Sequence, residues 1–233
     1  MSNRLEEIKQ NYEKIQERID LACQKAGRKT SEITIVAVTK TYPASDVDLL
    51  KQLGIENVGE NKDQEASSKK LEIKEQFKWH FIGQLQSNKA KSVVNYADLI
   101  HSVDRSSLVK ELQKSSAAIN KKQKLLIQVD LDQSKPDPTR GGVWPAQLLD
   151  LADLIKSSSN LELLGLMSVA PLGERPAMAF KRLAEIRQDF LKNHPQSDLL
   201  SAGMSDDLED ALLYGATHLR IGSALLGERP KIG

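Results

Sequence analysis

Short apolar runs alternate with amphipathic stretches along almost the whole chain. Eight runs are rich in β-branched or aliphatic residues, and the stretches between them repeat apolar residues at helical spacing. The runs are Ile33–Val38, Ile55–Val58, Trp79–Ile82, Leu99–His101, Leu125–Val129, Leu161–Met167, Leu199–Leu200 and His218–Ile221. The helical stretches include Ala44–Leu53, Ser87–Tyr96, Ser106–Ile119, Pro145–Lys156, Arg175–Lys192 and Asp206–Tyr214. Strands that alternate with helices predict a parallel sheet.

The number of strand–helix units, set against the length of the chain, selects the architecture. Eight units fill 233 residues, close to the length of about 250 that is typical of a (β/α)8 barrel. An α/β fold with one closed TIM-type barrel therefore fits better than an open doubly wound sheet. An extra N-terminal helix is predicted from apolar residues at three- and four-residue steps: Leu5, Ile8, Tyr12, Ile15, Ile19 and Ala22. We expect a single domain over residues 1–233.

Charge, cysteine content and hydropathy exclude several classes of protein. The 33 basic and 32 acidic residues leave a net charge of +1, whereas nucleic-acid-binding proteins carry a clustered basic excess. The one cysteine, Cys23, rules out a disulfide framework within the chain and points to a reducing compartment. Neither an apolar signal segment nor an apolar run of about 20 residues is present. We expect a cytoplasmic protein without nucleic-acid or membrane partners.

Functional groups of such barrels lie at the C-terminal ends of the strands. The first predicted strand runs directly into Lys40. Burial disfavours the charged form of an amine, and a neutral amine is what attacks an aldehyde to form a Schiff base. A surface lysine whose ammonium group reaches water is the alternative.

Two further strand ends carry polar groups with more than one interpretation. Asn61 offers a donor and an acceptor near the mouth of the barrel, or it belongs to a turn or helix cap. His80 is either a proton shuttle or an inward-facing histidine with satisfied hydrogen bonds. The four histidines fall in separate elements without metal-ligand spacing, so no metal site is predicted.

The last two loops favour a phosphate site. Gly203 and Ser205 follow the seventh predicted strand, and Ser205 also suits the N-cap of the next helix. Gly222 and Ser223 follow the eighth strand, where barrels often bind phosphate at a helix N-terminus. Asp206 and its neighbour Asp207 would repel phosphate unless they point outward.

Arg220 lies two residues before Gly222, so by strand alternation its side chain can point in the direction of the phosphate-facing turn. If Arg220 faces the lumen, its permanent charge needs an acceptor. A ring nitrogen with a free lone pair is one such acceptor. A structural salt bridge to a carboxylate such as Glu60 is the alternative.

Together these residues resemble the pyridoxal-phosphate homeostasis protein family (the YggS/PROSC family). That family has the barrel of fold-type III pyridoxal 5′-phosphate (PLP) enzymes such as alanine racemase. The motifs run in order across nearly the whole chain: VAVTK ending at Lys40, VGENKDQE at Val58–Glu65, WHFIGQLQSNK at Trp79–Lys89, HSVD at His101–Asp104, GLMSV at Gly165–Val169, GMSDD at Gly203–Asp207 and RIGSALLG at Arg220–Gly227.

The resemblance implies PLP as the cofactor and eight cofactor-binding residues, with no catalytic residue or metal ligand among them. They are Lys40 as the covalent Schiff-base lysine, Asn61 beside the cofactor, Met167 and Ser168 near the ring or phosphate, Ser205, Gly222 and Ser223 at the phosphate, and Arg220 facing the pyridine nitrogen. The chain departs from the family's usual residues at Val58, Lys62, Ala202 and Leu226. These departures alter the packing around the site and leave the ligand groups intact.

The Arg220 assignment bears on catalysis. A pyridine nitrogen that faces arginine stays unprotonated, so the ring is a poor electron sink, which disfavours transamination and decarboxylation and leaves racemisation open. Alanine racemase, however, has a β-rich domain after its barrel and a tyrosine from a partner subunit. This sequence ends soon after the eighth strand, and Tyr42 is the one tyrosine near the predicted mouth. Lys40 serves one face of the ring, and we name no residue for the other.

The resemblance thus implies a protein that holds PLP on Lys40 and acts in intracellular PLP homeostasis and amino-acid and keto-acid balance, without turnover. A PLP-dependent amino-acid racemase is the alternative, and a Schiff-base aldolase acting on a phosphorylated sugar without PLP is the third hypothesis. The expected partners are PLP and either PLP-dependent apo-enzymes or a regulatory protein. We expect a monomer.

Overall fold

The structure is a computed structural model and describes residues 3–132 and 141–227. Within these residues, eight parallel strands close into a barrel in which each strand pairs with the next and β8 pairs with β1. The strands are β1 (Thr34–Val38), β2 (Asn57–Glu60), β3 (Lys78–Phe81), β4 (Leu99–Val103), β5 (Gln123–Gln128), β6 (Leu161–Met167), β7 (Leu199–Ser201) and β8 (His218–Ile221). The TIM-type barrel predicted from the alternating pattern is confirmed.

Helices surround the barrel and begin with the predicted N-terminal helix. They are α1 (Asn3–Ala26), α2 (Ala44–Gln52), α3 (Asp63–Glu72), α4 (Ala90–Tyr96), α5 (Ser106–Ala118), α6 (Leu148–Lys156), α7 (Pro176–Asn193), α8 (Leu208–Leu213) and α9 (Ser223–Leu226). Short 3-10 turns at Thr30–Glu32, Ser87–Lys89 and Pro145–Gln147 precede β1, α4 and α6. None of the helices in the described ranges is long and apolar enough to cross a bilayer.

Helix α1 packs its apolar face on the barrel's outer layer beside α8 and α9. Ile8, Ile15 and Ile19 are buried, as the spacing predicts, while Tyr12 is half-buried. Polar contacts fix its orientation, because the guanidinium of Arg18 donates to both carboxylate oxygens of Glu209 at 2.6 and 2.8 Å. Helix α1, the first element, is therefore packed against α8 and α9 near the other end of the chain.

Two local differences from the predicted elements have physical reasons. Strand β2 begins at Asn57 rather than Ile55, because the N–H of Ile55 closes the end of α2 by donating to the carbonyl of Leu50 at 3.1 Å. Helix α3 was not predicted from apolar spacing. Its buried positions are Ala66 and Lys69, so it lacks an apolar stripe.

The barrel interior contains a small apolar cluster separate from the larger core between strands and helices. Leu99, Leu126 and Met167 form this cluster, with Leu199 packed against it. Gly165, in β6, leaves room beside it: its φ is +153°, and a Cβ atom there would lie 1.9 Å from the carbonyl oxygen of Leu199. Glycine at this position lets β6 and β7 approach closely enough to pair.

Overpacked sites typically lose roughly 1–3 kcal/mol of unfolding free energy. We expect the loss in Gly165→Ala to exceed this range, because steric overlap adds to backbone strain. Gly54→Ala is the matched control, because Gly54 also has a positive φ (+75°) but no atom within 4 Å of the added Cβ. Its cost should be about 1–2 kcal/mol. Chemical denaturation of both variants measures the difference, and equal losses would refute the steric explanation.

Candidate functional site

The predicted site residues follow strands that are neighbours in the barrel. In the sheet, β1 lies between β2 and β8, with Val38 opposite Gly59 and Ala37 opposite Ile221. Lys40, Asn61 and Gly222 therefore leave three adjacent strands at about the same height. Parallel strands end on the same side, so these residues gather at the C-terminal mouth of the barrel.

Lys40 lies in a tight turn immediately after β1. The N–H of Thr39 extends the pairing to the carbonyl of Gly59 at 3.1 Å, and the N–H of Tyr42 folds back to the carbonyl of Thr39 at 3.1 Å. Thr41, between them, has a φ of +72°, which is rare for a β-branched residue. Lys40 itself is half-buried. Backbone strain of this kind persists only where the surroundings enforce it.

Three side chains from β2 and α3 enforce this turn, and we call them the Lys69 cluster: Glu60, Glu65 and Lys69. The ammonium of Lys69 donates to Glu60 Oε1 at 2.5 Å, to Glu65 Oε1 at 3.0 Å and to the carbonyl of Thr39 at 2.7 Å. Glu65 also accepts the N–H of Thr41. The cluster thus forms hydrogen bonds with the backbone on both sides of Lys40, at the carbonyl of Thr39 and the N–H of Thr41.

The Lys69 cluster is largely buried. Its three residues are not predicted as a group from the sequence. Lys69 is 6% exposed and Glu60 fully buried. Burial raises the pKa of Glu60, while the charge of Lys69 and the hydrogen bonds from Lys69 and Thr39 lower it. The four-residue spacing of Glu65 and Lys69 was the available signal, since it places both on one helix face. The predicted alternative of a Glu60–Arg220 salt bridge is wrong, because Glu60 pairs with Lys69.

Arg220 faces the barrel interior from β8 and is 5% exposed. Its guanidinium donates from Nη1 to Ser201 Oγ at 2.7 Å and from Nη2 to the carbonyl oxygen of Ser168 at 2.9 Å. Burial lowers the pKa of Arg220 to about 10, against the opposing effect of Asp207. The side chain therefore stays charged at neutral pH and has further N–H donors to offer.

Gly222 and Ser223 form the start of α9 at the end of β8. Gly222 is the N-cap, and a Cβ atom on it would lie 3.5 Å from Cβ of Val38, so this end of β8 lies against β1. The first N–H groups of a helix lack intrahelical acceptors and suit an anion. Ser223 is exposed and adds a hydroxyl group.

The loop after β7 differs in detail from its prediction. Ser205 is half-buried but is not the N-cap, because α8 begins at Leu208 and Asp207 occupies the N-cap position. The buried carboxylate of Asp207 accepts the N–H of Met204 at 2.6 Å, which closes the loop, while Asp206 is exposed. Asp207 thus meets the backbone as well as the charge of Arg220.

Met167, Ser168 and Asn61 complete the set. Met167 is buried in the interior cluster, and the hydroxyl of Ser168 donates to the carbonyl of Val129 at 2.8 Å, so the contact of Ser168 with Arg220 runs through its backbone. Asn61 is half-buried after β2. A Cβ on Gly83 would lie 2.1 Å from the carbonyl oxygen of Asn61, so glycine is required where the two loops touch.

Two aromatic candidates for proton transfer are engaged in the structure. The hydroxyl of Tyr42, 3% exposed, donates to the carbonyl of Gly227 at 2.6 Å. His80 lies between His101 and Asn57, at 2.8 and 3.0 Å, and burial with nearby positive groups lowers its pKa to about 3. His80 is thus the satisfied, inward-facing histidine of the two interpretations.

Clefts flank the mouth on the side of α3. One, of about 420 Å³, is lined by residues that include Asn61, Phe81 and Gln84. The other, of about 530 Å³, is lined by residues that include Thr41 and Lys69. The first cleft thus includes the predicted site residue Asn61, and the second includes Thr41, which directly follows Lys40.

Known proteins are similar to this chain in sequence and in fold. The family described as alanine racemase, N-terminal domain, matches residues 4–230. A Mycobacterium leprae protein named pyridoxal phosphate homeostasis protein is 38% identical over 232 residues, which cover 91% of this chain and 89% of that protein. A solved structure of an unknown protein from Bifidobacterium adolescentis has a TM-score of 0.89 at 27% identity and covers 97% of this chain and 96% of its own.

PipY of Synechococcus elongatus, solved with PLP bound, gives a TM-score of 0.78 at 32% identity. The match covers 91% of this chain and 100% of PipY. Sequence similarity and fold agree across these comparisons. The chain belongs to the pyridoxal phosphate homeostasis protein family, on the barrel of the alanine racemase N-terminal domain.

Proposed function

We propose that this chain binds PLP as a Schiff base on Lys40 and acts in intracellular PLP homeostasis, and so in amino-acid and keto-acid balance, without catalytic turnover. The observation that carries the proposal is the placement of an amine, an anion cradle and a fixed cation at the ends of paired strands. Lys40 follows β1, Arg220 lies on β8 and Gly222 comes directly after β8. The family's name and the PLP-bound relative support it.

In this proposal each group of PLP would meet a residue at the mouth of the barrel. The cofactor supplies an aldehyde that bonds reversibly to amines and a ring that can take up negative charge. The amine of Lys40 would hold the aldehyde, and the N–H groups at the start of α9 with the hydroxyl of Ser223 would hold the phosphate dianion. Arg220 would donate to the ring nitrogen, with Asn61, Met167, Ser168 and Ser205 around the cofactor.

Absence of turnover is proposed from what the neighbouring side chains already do. An arginine opposite the ring nitrogen keeps that nitrogen unprotonated, so the ring withdraws electrons weakly. Tyr42, which would serve as a second acid–base group, donates its hydrogen to Gly227. We propose that the protein takes up, protects and releases PLP, with apo-enzymes or a regulatory protein as partners. The racemase alternative requires turnover of an amino acid, which an optical-rotation assay detects.

Lys40 is the first residue to test. We expect the wild-type protein with PLP to absorb in the near-visible range and borohydride to label Lys40 irreversibly, because reduction makes a Schiff base permanent. Lys40→Ala should give neither the band nor the label. Lys62→Ala is the control, since Lys62 is an exposed lysine close to the mouth. A label on Lys62, or an unchanged band in Lys40→Ala, would refute the assignment.

The phosphate cradle predicts a charge effect. We expect Ser223→Asp to weaken PLP binding at least about tenfold, equivalent to ~1.4 kcal/mol, because a carboxylate at the start of α9 repels the phosphate dianion. Ser223→Asn is the uncharged control of similar size. Equilibrium titration with PLP and with pyridoxal, which lacks the phosphate, separates the two effects. Equal weakening for both ligands would place the phosphate elsewhere.

The Lys69 cluster predicts a link between stability and the reactivity of Lys40. Lys69→Met leaves Glu60 buried without its cation, which should cost about 3–5 kcal/mol of folding free energy. We expect Lys69→Met/Glu60→Gln to recover much of this stability but to react with PLP more slowly than wild type, since the grip on Thr39 is lost. Denaturation and stopped-flow absorbance measure the two quantities. A double variant with wild-type kinetics would show that the cluster does not orient Lys40.

A further inference from the structure

A continuous chain of hydrogen bonds crosses the barrel interior from β2 to β8. Asn57 Oδ1 lies 3.0 Å from His80 Nε2, and His80 Nδ1 lies 2.8 Å from His101 Nε2. His101 Nδ1 lies 2.9 Å from Ser201 Oγ, which accepts from Arg220 at 2.7 Å. Four of its five side chains are at least nine-tenths buried, namely His80, His101, Ser201 and Arg220. The chain thus ends on the cation at the barrel mouth.

This cluster of histidines is not arranged as a metal site. His80, His101 and His218 have ring centroids 5.1 to 6.5 Å apart. Among residues 3–132 and 141–227, however, no group of three or more His, Cys, Asp or Glu side chains could hold a metal ion. The short contact between His80 and His101 is itself a hydrogen bond, which needs one proton between two nitrogens.

The direction of every hydrogen bond in the chain follows from its ends. Arginine only donates, so Ser201 Oγ accepts from Arg220, and the hydroxyl hydrogen is free to donate to His101 Nδ1. A neutral His101 then carries its hydrogen on Nε2 and donates to His80 Nδ1. His80 in turn donates from Nε2 to Asn57 Oδ1. The opposite direction would set a lone pair of His80 against the oxygen of Asn57.

The electrostatics of the interior favour two neutral histidines. Burial lowers the pKa of His80, with further lowering from His218 and Lys78. Burial also lowers the pKa of His101 well below its ordinary value, and His80, Arg220 and His218 add to the effect. The acidic group that faces the chain is Asp207, beside Arg220. Protonating His101 would place a second cation close to the guanidinium of Arg220, and protonating His80 would place a cation beside His101.

We propose that His80 and His101 are positioning residues for Arg220. Both held as the Nε2–H tautomer, they direct the Ser201 hydrogen away from the guanidinium and oblige Ser201 to accept from it. Arg220 is then pinned between two acceptors, Ser201 Oγ and the carbonyl of Ser168. The pinned charge sets the protonation state of a ring nitrogen at the mouth. This last step rests on the proposed PLP site, whereas the tautomer chain does not.

The tautomer chain is tested on the protein without PLP. Nitrogen NMR of isotope-labelled histidine side chains at neutral pH should show His80 and His101 neutral, each protonated on Nε2 and accepting at Nδ1. Single histidine substitutions assign the signals. A hydrogen on Nδ1 of either residue, or a doubly protonated ring, would overturn the proposal, whatever the protein does with PLP.

The consequence for Arg220 is tested with PLP labelled at its ring nitrogen. In Ser201→Ala the guanidinium loses one acceptor, so we expect the ring nitrogen to take up a proton at a pH higher than in wild type by about one unit. Ser201→Thr keeps the hydroxyl group and should behave as wild type. An Ala variant with a wild-type titration would refute the link between the chain and the ring nitrogen.

The role of His101 is tested by comparison with His218, a histidine that is not part of this series of hydrogen bonds. His218 lies in the same interior and is hydrogen-bonded to Thr217 at 2.9 Å. We expect His101→Phe to shift the ring-nitrogen titration in the same direction as Ser201→Ala, and His218→Phe to leave it within error of wild type. Equal shifts in both variants would indicate a general effect of the interior and overturn the assignment. If His101→Phe does not fold, the Ser201 pair decides.

Discussion

The pairing of β8 with β1 is the constraint on which the rest of this structure depends. It closes the sheet, so that each of the eight strands in the described part of the chain pairs with a neighbour on both sides. It also sets Arg220 opposite Val36 and brings Gly222 against Val38, two residues before Lys40. Residues from the two ends of the sequence thereby form one side of the mouth. Helix α1 and its ion pair with Glu209 reinforce this closure from outside.

Closure creates an interior in which polar groups need partners. One part of the lumen is filled by the apolar cluster of Leu99, Leu126 and Met167. The other part holds histidines, Ser201 and Arg220, whose burial would be costly if they were not hydrogen-bonded to one another. The Lys69 cluster follows the same rule, since the buried ammonium of Lys69 is hydrogen-bonded to Glu60, Glu65 and the carbonyl of Thr39. Fixed polar chains of this kind hold groups in one orientation before a ligand arrives, which suits reversible capture better than adaptable binding.

Much of the fold was readable because periodicity and turn residues are local signals. β6 and β8 have the bounds that their apolar runs predict, and α1 ends at Ala26, directly before Gly27, whose φ is +66°. Helix α3 was not readable, since a buried lysine replaces part of its apolar stripe. Ser205 was predicted as a cap by residue type, but Asp207, two residues later, closes the loop. The choice between two possible capping residues in one loop depends on loop geometry that local sequence does not contain.

The sequence by itself determined the barrel class, the residues at the strand ends and, through its motifs, the family and the cofactor to be tested. The barrel class and the strand ends follow from the alternation of strands and helices along the chain, whereas the family and the cofactor follow from the resemblance that the motifs carry. The tertiary structure alone decided which polar groups meet: Glu60 with Lys69 rather than Arg220, and His80 with His101. Such pairings join residues of different strands and helices. They depend on the register and closure of the barrel, because each partner's distance is set only when all eight strands are in place.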